Sequence, residues 1–136
     1  MHGETDLDTL IASMQAALRP EVFVFVTCQA GQIPVGVDPV MVFSEAEGTT
    51  LILTLEAAVA EGLAYEYPCR MITLNIHSAL EAVGFLARIT TKLAAAGLSV
   101  NPVSAFFHDH LFVPQDRAVE ALSILNDMAQ SARKPG

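Results

Sequence analysis

Two histidines flank an aspartate in His108-Asp109-His110, and all three residue types are potential metal ligands. If the backbone there is extended, the side chains of His108 and His110 project to the same face and could bind one ion. Three ligands so close together can rarely all reach one ion, however, and aspartate also favours turns. We therefore expect a turn at His108-Asp109, with ligand contact or a metal site at His108 and His110 as the alternatives.

No motif typical of catalysis accompanies these histidines. The serines lack a Gly-x-Ser-x-Gly context, no glycine-rich phosphate loop occurs, and Cys28 and Cys69 belong to no Cys-x-x-Cys pair. We expect both cysteines to be buried structural thiols. The sequence favours a protein that is not an enzyme and has no cofactor, and a metal-dependent enzyme centred on His108 and His110 is the alternative.

The composition indicates an acidic, apolar-rich chain of one domain or two very small ones. Its 136 residues carry a net charge of −8, and 52% of them are hydrophobic whereas 16% are charged. The negative charge disfavours nucleic acid as a partner, because phosphates would be repelled. No apolar run is long enough to span a membrane and the acidic start is unlike a signal peptide, so we expect a cytoplasmic protein. The apolar surplus predicts self-association as a homodimer.

Hydrophobic periodicity predicts helices and strands in alternation along the chain. Apolar residues from Leu7 to Leu18 follow helical spacing, and Pro20 prevents the helix from continuing. The apolar run from Val22 to Cys28 is typical of a strand covered on both faces. Further strands are predicted at 40–43, 49–54, 71–76, from Leu98, and at 111–113, and further helices at 56–63, after the 71–76 strand, and from Asp116 onward.

The helix after the 71–76 strand has two candidate starting points. Ser78 and Glu81 have the spacing of a capping box, in which each side chain satisfies a free amide at the helix start. We favour this capping box. The alternative, which the family resemblance given below implies, is that residues 77–83 form a ligand-facing loop and the helix begins near Gly84. In either case, backbone amides and the positive end of the helix dipole would face the loop, which predicts a carboxylate site.

Helical spacing also predicts which side of this helix is buried. The residues that we expect to be buried fall within one arc, at Ala82, Val83, Leu86, Ile89, Thr90 and Leu93. Phe85 falls among the charged residues of the other side, so we expect its ring at the helix edge, or in contact with a subunit or ligand. Gly97 ends the helix, and Pro102 in the next strand predicts an edge strand or a bulge.

Two segments of similar order indicate an internal repeat. Leu51 to Val59, LILTLEAAV, and Leu111 to Val119, LFVPQDRAV, both predict a strand, a break, an acidic residue and a helix. Together with the other predicted elements, they divide the chain into two similar halves. We place the halves at 1–69 and 70–130, with the strand at 71–76 shared and 131–136 as a frayed tail.

A family pattern begins at Gly84-Phe85-Leu86-Ala87-Arg88-Ile89 and continues with Leu93, Gly97 and Leu98-Ser99-Val100. It resembles the ACT domain pattern, in which a strand-ending loop leads to a glycine, a helix, a second glycine and a strand. The segments ITLNIHSALEAVG, HDHLFVP and EAEGTTLIL resemble small stand-alone bacterial proteins with tandem ACT-like halves. Val83 departs from the pattern, which usually has proline there, and the usual preceding acidic residue is missing.

The resemblance implies an α+β fold of the ferredoxin-like ACT type, with an antiparallel sheet, helices on one face and two ACT-like halves. It also implies a non-catalytic regulatory or sensor protein that binds an amino acid or a related carboxylate. A purely structural interaction protein is a further alternative. The predicted ligand contacts are His77, Ser78, Val83, Gly84, Phe85 and Asn101.

Overall fold

The computed structural model describes residues 3–76 and 83–133, which form helices and antiparallel strands. The helices are α1 (Gly3–Ser13), α2 (Leu55–Ala60), α3 (Phe85–Ala95) and α4 (Ala118–Arg133), and a 3-10 turn at Gln115–Arg117 precedes α4. The strands are β1 (Gln15–Cys28), β2 (Met41–Glu45), β3 (Gly48–Thr54), β4 (Glu66–Asn75), β5 (Asn101–Ser104) and β6 (Asp109–Pro114). Among the helices in the described ranges, none is both long and apolar enough to cross a membrane.

The chain divides into two compact units, which we call the terminal unit (Met1–Arg19 with Met71–Gly136) and the central unit (Pro20–Arg70). In the central unit, the hydrogen-bonded strand order is β2-β3-β1, and in the terminal unit it is β4-β6-β5. Strand β3 pairs antiparallel with both β1 and β2, and β5 pairs antiparallel with β6. These pairings confirm the predicted α+β fold with an antiparallel sheet.

The core of the terminal unit lies between its strands and three helices. Alternate residues of β4 and β6 point to the same face, which brings Ile72 and Leu74 beside Leu111 and Val113. Helix residues cover this face: Ile11 of α1, Phe85, Ile89 and Leu93 of α3, and Ala118, Ala121, Leu125 and Ala129 of α4. Met14, which directly follows α1, is buried in the same core. Each large side chain buried here contributes about 1.5–3 kcal/mol relative to an exposed one. The terminal unit therefore has its helices on one face, as predicted.

The core of the central unit is smaller and uses one short helix. It consists of Val24 and Val26 of β1, Leu51 and Leu53 of β3, and Ala58 of α2, and all five are buried. The Ala57 N–H donates a hydrogen bond of 3.1 Å to the Thr54 hydroxyl oxygen, so Thr54 caps the start of α2. The cap fixes the point at which β3 turns into the helix.

The predicted first helix is wrong at its C-terminal end. Helix α1 ends at Ser13, and Leu18, which fits the helical spacing, lies in β1 instead. Exposure alternates residue by residue from Gln15 to Arg19, with Ala16 and Leu18 packed against the core of the terminal unit. Strand pairing and burial therefore outweigh the local helical spacing, as is common where tertiary contacts decide the conformation.

The C-terminal elements confirm one prediction and correct another. Strand β5 stands at the end of the strand order, so Pro102 lies in an edge strand where its missing N–H costs little. Helix α4 continues to Arg133, whose Nε donates a hydrogen bond of 2.8 Å to the Ala12 carbonyl oxygen. Residues 131–133 are therefore helical rather than frayed, and residues 134–136 lie outside the described range.

The two cysteines are free thiols in different environments. Cys69 is fully buried, and its Sγ lies 3.3 Å from the Phe23 carbonyl oxygen. Burial raises the pKa of this thiol to about 12. Cys28 is half-buried. The expectation of two buried thiols is therefore confirmed for Cys69 and wrong for Cys28. Cys28 is the last residue of β1 and is partly exposed to solvent.

We expect the Cys69 thiol to resist modification as long as the protein is folded. In a Cys28→Ser variant, an aromatic disulfide reagent at about pH 8 should release no chromophore until urea unfolds the chain, because the reagent needs a thiolate. Rapid labelling of the folded variant would contradict the burial of Cys69.

The same thiol should make the folded protein less stable at high pH. The unfolded thiol ionises at a pKa of roughly 8.5, whereas the folded thiol stays protonated until about 12, so the free energy of unfolding falls as pH rises between these values. Urea unfolding at several pH values above 8 measures the slope. The Cys28→Ser/Cys69→Ala variant is the control and should lack this contribution.

Candidate functional site

The start of α3 presents backbone amides that no described side chain caps. Gly84 is the N-cap residue and lies in the left-handed region, with φ 83° and ψ −8°. The Arg88 N–H donates to the Gly84 carbonyl oxygen at 3.0 Å, which leaves the N–H groups of the first turn to other acceptors. The helix therefore starts near Gly84, as in the alternative to the favoured capping box. Ser78 and Glu81 of that capping box lie outside the described residues.

Val83 and Phe85 occupy the opposite environments from those predicted. Phe85 is 1% exposed and packs in the core of the terminal unit one and two turns before Ile89 and Leu93, whereas Val83 is 92% exposed. The prediction is wrong because it extended the helical spacing back through residues that precede the helix. Since α3 begins at Phe85, its buried row runs through Phe85, and the left-handed Gly84 separates Val83 from that row.

Of the other predicted ligand contacts, Asn101 lies within the described residues. Asn101 is the first residue of β5, is exposed, and pairs with Phe112 of β6. His77 and Ser78 lie outside the described residues. The structure thus groups Val83, Gly84 and Phe85 at the start of α3. With its ring in the core, Phe85 offers a ligand only its backbone.

A groove of about 840 Å³ opens on the helical side of the terminal unit, and Gly84 is among its lining residues. Helices α1, α3 and α4 supply its walls. Much of the lining consists of small or apolar side chains, at Ile11, Ala87, Ala95, Met128 and Ala132. The charged lining residues are Asp8, Arg88, Lys92 and Asp127.

Two of the four charges along the groove neutralise each other. Arg88 Nη2 lies 2.7 Å from Asp8 Oδ1, and this ion pair joins α3 to α1. Both side chains are about half exposed, so the pair contributes at most about 1 kcal/mol to stability. Within the described residues, no ion pair involves Lys92 or Asp127. The groove therefore carries one unneutralised positive charge on α3 and one unneutralised negative charge on α4.

The β5–β6 hairpin corrects the predicted turn at His108-Asp109. Asp109 is the first residue of β6, pairs with Ser104, and is 2% exposed. The Ser104 hydroxyl donates a hydrogen bond to its carboxylate, which supplies the partner that a buried polar group needs. The loop is instead residues 105–108, in which the Ala105 N–H donates to the His108 carbonyl oxygen at 3.0 Å.

The two histidines of this hairpin lie side by side. Their ring centroids are 6.3 Å apart and their planes are nearly perpendicular. His110 Nδ1 lies 2.9 Å from Thr73 Oγ1, and burial, followed by the charge of His108, lowers the pKa of His110. The Nδ1 atom of His108 is buried and has no hydrogen-bond partner in the described part of the chain. Among the described residues, no group of three or more His, Cys, Asp or Glu side chains is placed so that it could hold a metal ion.

Two family models match the chain, and both are described as an ACT domain. The first matches residues 2–70 and the second residues 66–127. The chain therefore belongs to the ACT domain family and consists of two ACT domains in tandem. ACT domains are typically regulatory modules that bind small molecules. No curated protein matches the sequence.

Solved structures show the same fold. A Vibrio cholerae protein, described as of unknown function and as a possible transport protein, is 38% identical with a TM-score of 0.86 over 95% of this chain and 100% of that chain. An Agrobacterium tumefaciens protein is 15% identical with a TM-score of 0.72 over 85% and 89% of the two chains. The regulatory subunit of aspartate kinase from Thermus flavus is 12% identical with a TM-score of 0.60 over 83% and 95%. The last two likenesses show the fold alone.

Sequence reasoning missed the groove. Gly84, Arg88 and Lys92 follow one another at intervals of four residues, and all three are exposed and line the groove. Such a row is equally typical of a solvated helix face. Only the packing of α3 against α1 and α4 makes the row a wall, so nothing in the local sequence distinguishes the two cases.

The opposite environments of Phe85 and Val83 predict opposite effects of truncation. Phe85→Ala should lower the free energy of unfolding by about 3–5 kcal/mol, because it leaves a cavity in the core of the terminal unit. Val83→Ala should change it by less than about 0.5 kcal/mol, since surface substitutions seldom exceed this. Urea unfolding of both variants measures the difference, and equal effects would contradict the helix start at Phe85.

Proposed function

We propose that this protein is a non-catalytic regulatory or sensor protein of the ACT type that binds an amino acid or a related carboxylate. The uncapped start of α3 at the left-handed Gly84, inside an ACT domain, is the observation that carries the proposal. A carboxylate accepts hydrogen bonds from free first-turn amides, and the helix dipole favours its negative charge. The proposal requires no metal or cofactor.

The proposed contacts are the backbone around Val83, Gly84 and Phe85, with polar contributions from His77, Ser78 and Asn101. Gly84 has no Cβ, so a ligand can approach its backbone closely. Binding is proposed to be micromolar, about 8 kcal/mol, which a carboxylate site and one buried ligand side chain can supply. Such an affinity suits a sensor that must release its ligand when the concentration falls.

A thermal-shift screen of the twenty amino acids tests the proposal. A ligand at a hundred times its dissociation constant stabilises the folded protein by about 2.7 kcal/mol, which raises the melting temperature by on the order of 10 °C. We expect at least one amino acid to produce such a shift. No shift with any of the twenty would overturn the proposal.

Two matched glycine variants show whether a ligand that raises the melting temperature binds at the start of α3. Gly84 and Gly97 both have a positive φ, 83° and 79°, and an added Cβ at either would meet no atom closer than 3.6 Å. Alanine should therefore strain the backbone to a similar extent at each position. Gly84→Ala should weaken or abolish the ligand-induced shift, and Gly97→Ala should leave it unchanged. An equal loss in both variants would show that the effect is general destabilisation.

We also propose that the protein acts as a homodimer in the cytoplasm, and exposed apolar side chains support the dimer. Strand β2 stands at the edge of the central unit's strand order, and Val42 and Phe43 on it are 47% and 61% exposed. An exposed apolar edge strand is an exception in monomeric proteins, because it invites pairing with another chain. A second copy of this chain covering β2 would remove that edge from water.

Replacing one apolar side chain on this edge should disrupt the dimer. Phe43→Lys places a charge on β2, and we expect light scattering after size-exclusion chromatography to give the mass of a monomer. Val35→Lys is the matched control, since Val35 is 95% exposed in a loop and its change should leave the dimer intact. A wild-type protein that runs as a monomer would contradict the proposed dimer.

A further inference from the structure

We propose that the groove between α1, α3 and α4 is a second ligand site, which takes a zwitterionic small molecule with an apolar side chain. Gly84 lies at one end of the groove, but the proposed contacts of this second site are with Lys92 and Asp127 and not with the amides at the start of α3. Lys92 follows Gly84 by eight residues, which places the two about 12 Å apart along the helix at 1.5 Å per residue. A carboxylate bound at Lys92 therefore leaves the start of α3 free.

The charges along the groove select a ligand that carries both signs. Arg88 and Asp8 form an ion pair with each other at 2.7 Å, so each is less available to a ligand than an unpaired charge is. The charges of Lys92 and Asp127 are not neutralised in this way. The two residues lie on different helices and, among the described residues, form no ion pair with each other. A molecule with one carboxylate and one ammonium group neutralises both. A simple anion or cation would leave one of the two charges unmatched.

The remaining lining residues favour a ligand with an apolar side chain between its charged groups. Ile11, Met128 and Ala132 bring apolar atoms to the side formed by α1 and α4, and Ala87 and Ala95 do so from α3. Met128 and Ala132 are half-buried, so a ligand that covers them removes apolar surface from water. Because the alanine side chains are small, a side chain of the ligand can lie close to the backbone of α3.

The size of the groove suits a small molecule. Its volume of about 840 Å³ lies within the range of roughly 300–1,000 Å³ that is usual for small-molecule sites. A free amino acid with a large apolar side chain and a short apolar peptide share the required chemistry. They differ in the distance between the ammonium and carboxylate groups, so their relative affinities report the span from Asp127 to Lys92.

An amide-resolved NMR titration of the whole chain tests the proposal directly. The probes are leucine and dileucine, together with leucinamide, which lacks the carboxylate, and N-acetyl-leucine, which lacks the ammonium group. We expect leucine or dileucine to shift the amide signals around Lys92, Ala95 and Asp127. Shifts confined to residues 83–85 would place binding at the start of α3 and overturn the groove site, and the absence of shifts would overturn it as well.

Variants at the two charges identify which end of the ligand each one binds. Lys92→Gln should weaken binding of the free acid about threefold to tenfold and remove its advantage over leucinamide, because a partly exposed charged contact contributes a modest amount. Asp127→Asn should likewise remove the advantage over N-acetyl-leucine. Lys92→Arg should restore most of the affinity.

The control is Asp116→Asn, which removes a charge from the 3-10 turn without touching the groove. It should leave every affinity unchanged. If the two groove variants behave like this control, Lys92 and Asp127 are only solvated charges and the proposal is wrong. If Asp116→Asn weakens binding as much as Asp127→Asn does, the effect of Asp127→Asn comes from overall charge and the proposal is equally wrong.

Discussion

The left-handed conformation of Gly84 is the constraint on which the helical side of the terminal unit depends. An alanine Cβ at this position would lie 3.6 Å from Leu7 Cδ2, an ordinary contact, so the requirement for glycine comes from the backbone itself. A residue with a side chain would be strained at φ 83° by about 1–2 kcal/mol. The turn at Gly84 points Phe85 into the core and leaves Val83 in solvent. It also leaves the first backbone amides of α3 without a side-chain cap. One dihedral angle thus links the stability of this unit to its proposed ligand site.

Three arginines connect the helices of this unit, two of them at carbonyl oxygens near helix C-termini and the third through an ion pair. Arg117 donates to the carbonyl oxygens of Ala96 and Gly97 at 2.9 and 3.0 Å, where α3 ends, and it also binds the Glu120 carboxylate. Arg133 binds the Ala12 carbonyl near the end of α1, and Arg88 pairs with Asp8. Cations at helix C-termini satisfy free carbonyls and complement the negative end of the dipole. Since α1, α3 and α4 are the walls of the groove, these contacts connect its walls in addition to the shared core.

The family and the order of elements were predictable because they depend on local patterns. Helical spacing, alternation in β4, and punctuation by Gly84 and Gly97 are all contained in short segments, and the ACT resemblance follows from the same segments. The predictions were wrong where contact with a residue far away in the sequence decides the local conformation. Leu18 fits the helical spacing but lies in β1, because packing against the core of the terminal unit favours a strand. Asp109 is typical of a turn but lies buried in β6, because the Ser104 hydroxyl satisfies its carboxylate.

The sequence by itself determined the class of this protein, its two-fold repeat of ACT domains, and the importance of Gly84, because glycine content and hydrophobic period are local properties. Only the tertiary structure decided which side chains surround that glycine. Because α3 begins at Phe85, Phe85 lies one turn before Ile89 in the buried row, whereas Val83 precedes the helix and is exposed. The packing of three helices then turned a row of exposed residues on α3 into the wall of a groove. Neither outcome is contained in the spacing of residues, because each depends on elements that are far apart in the chain.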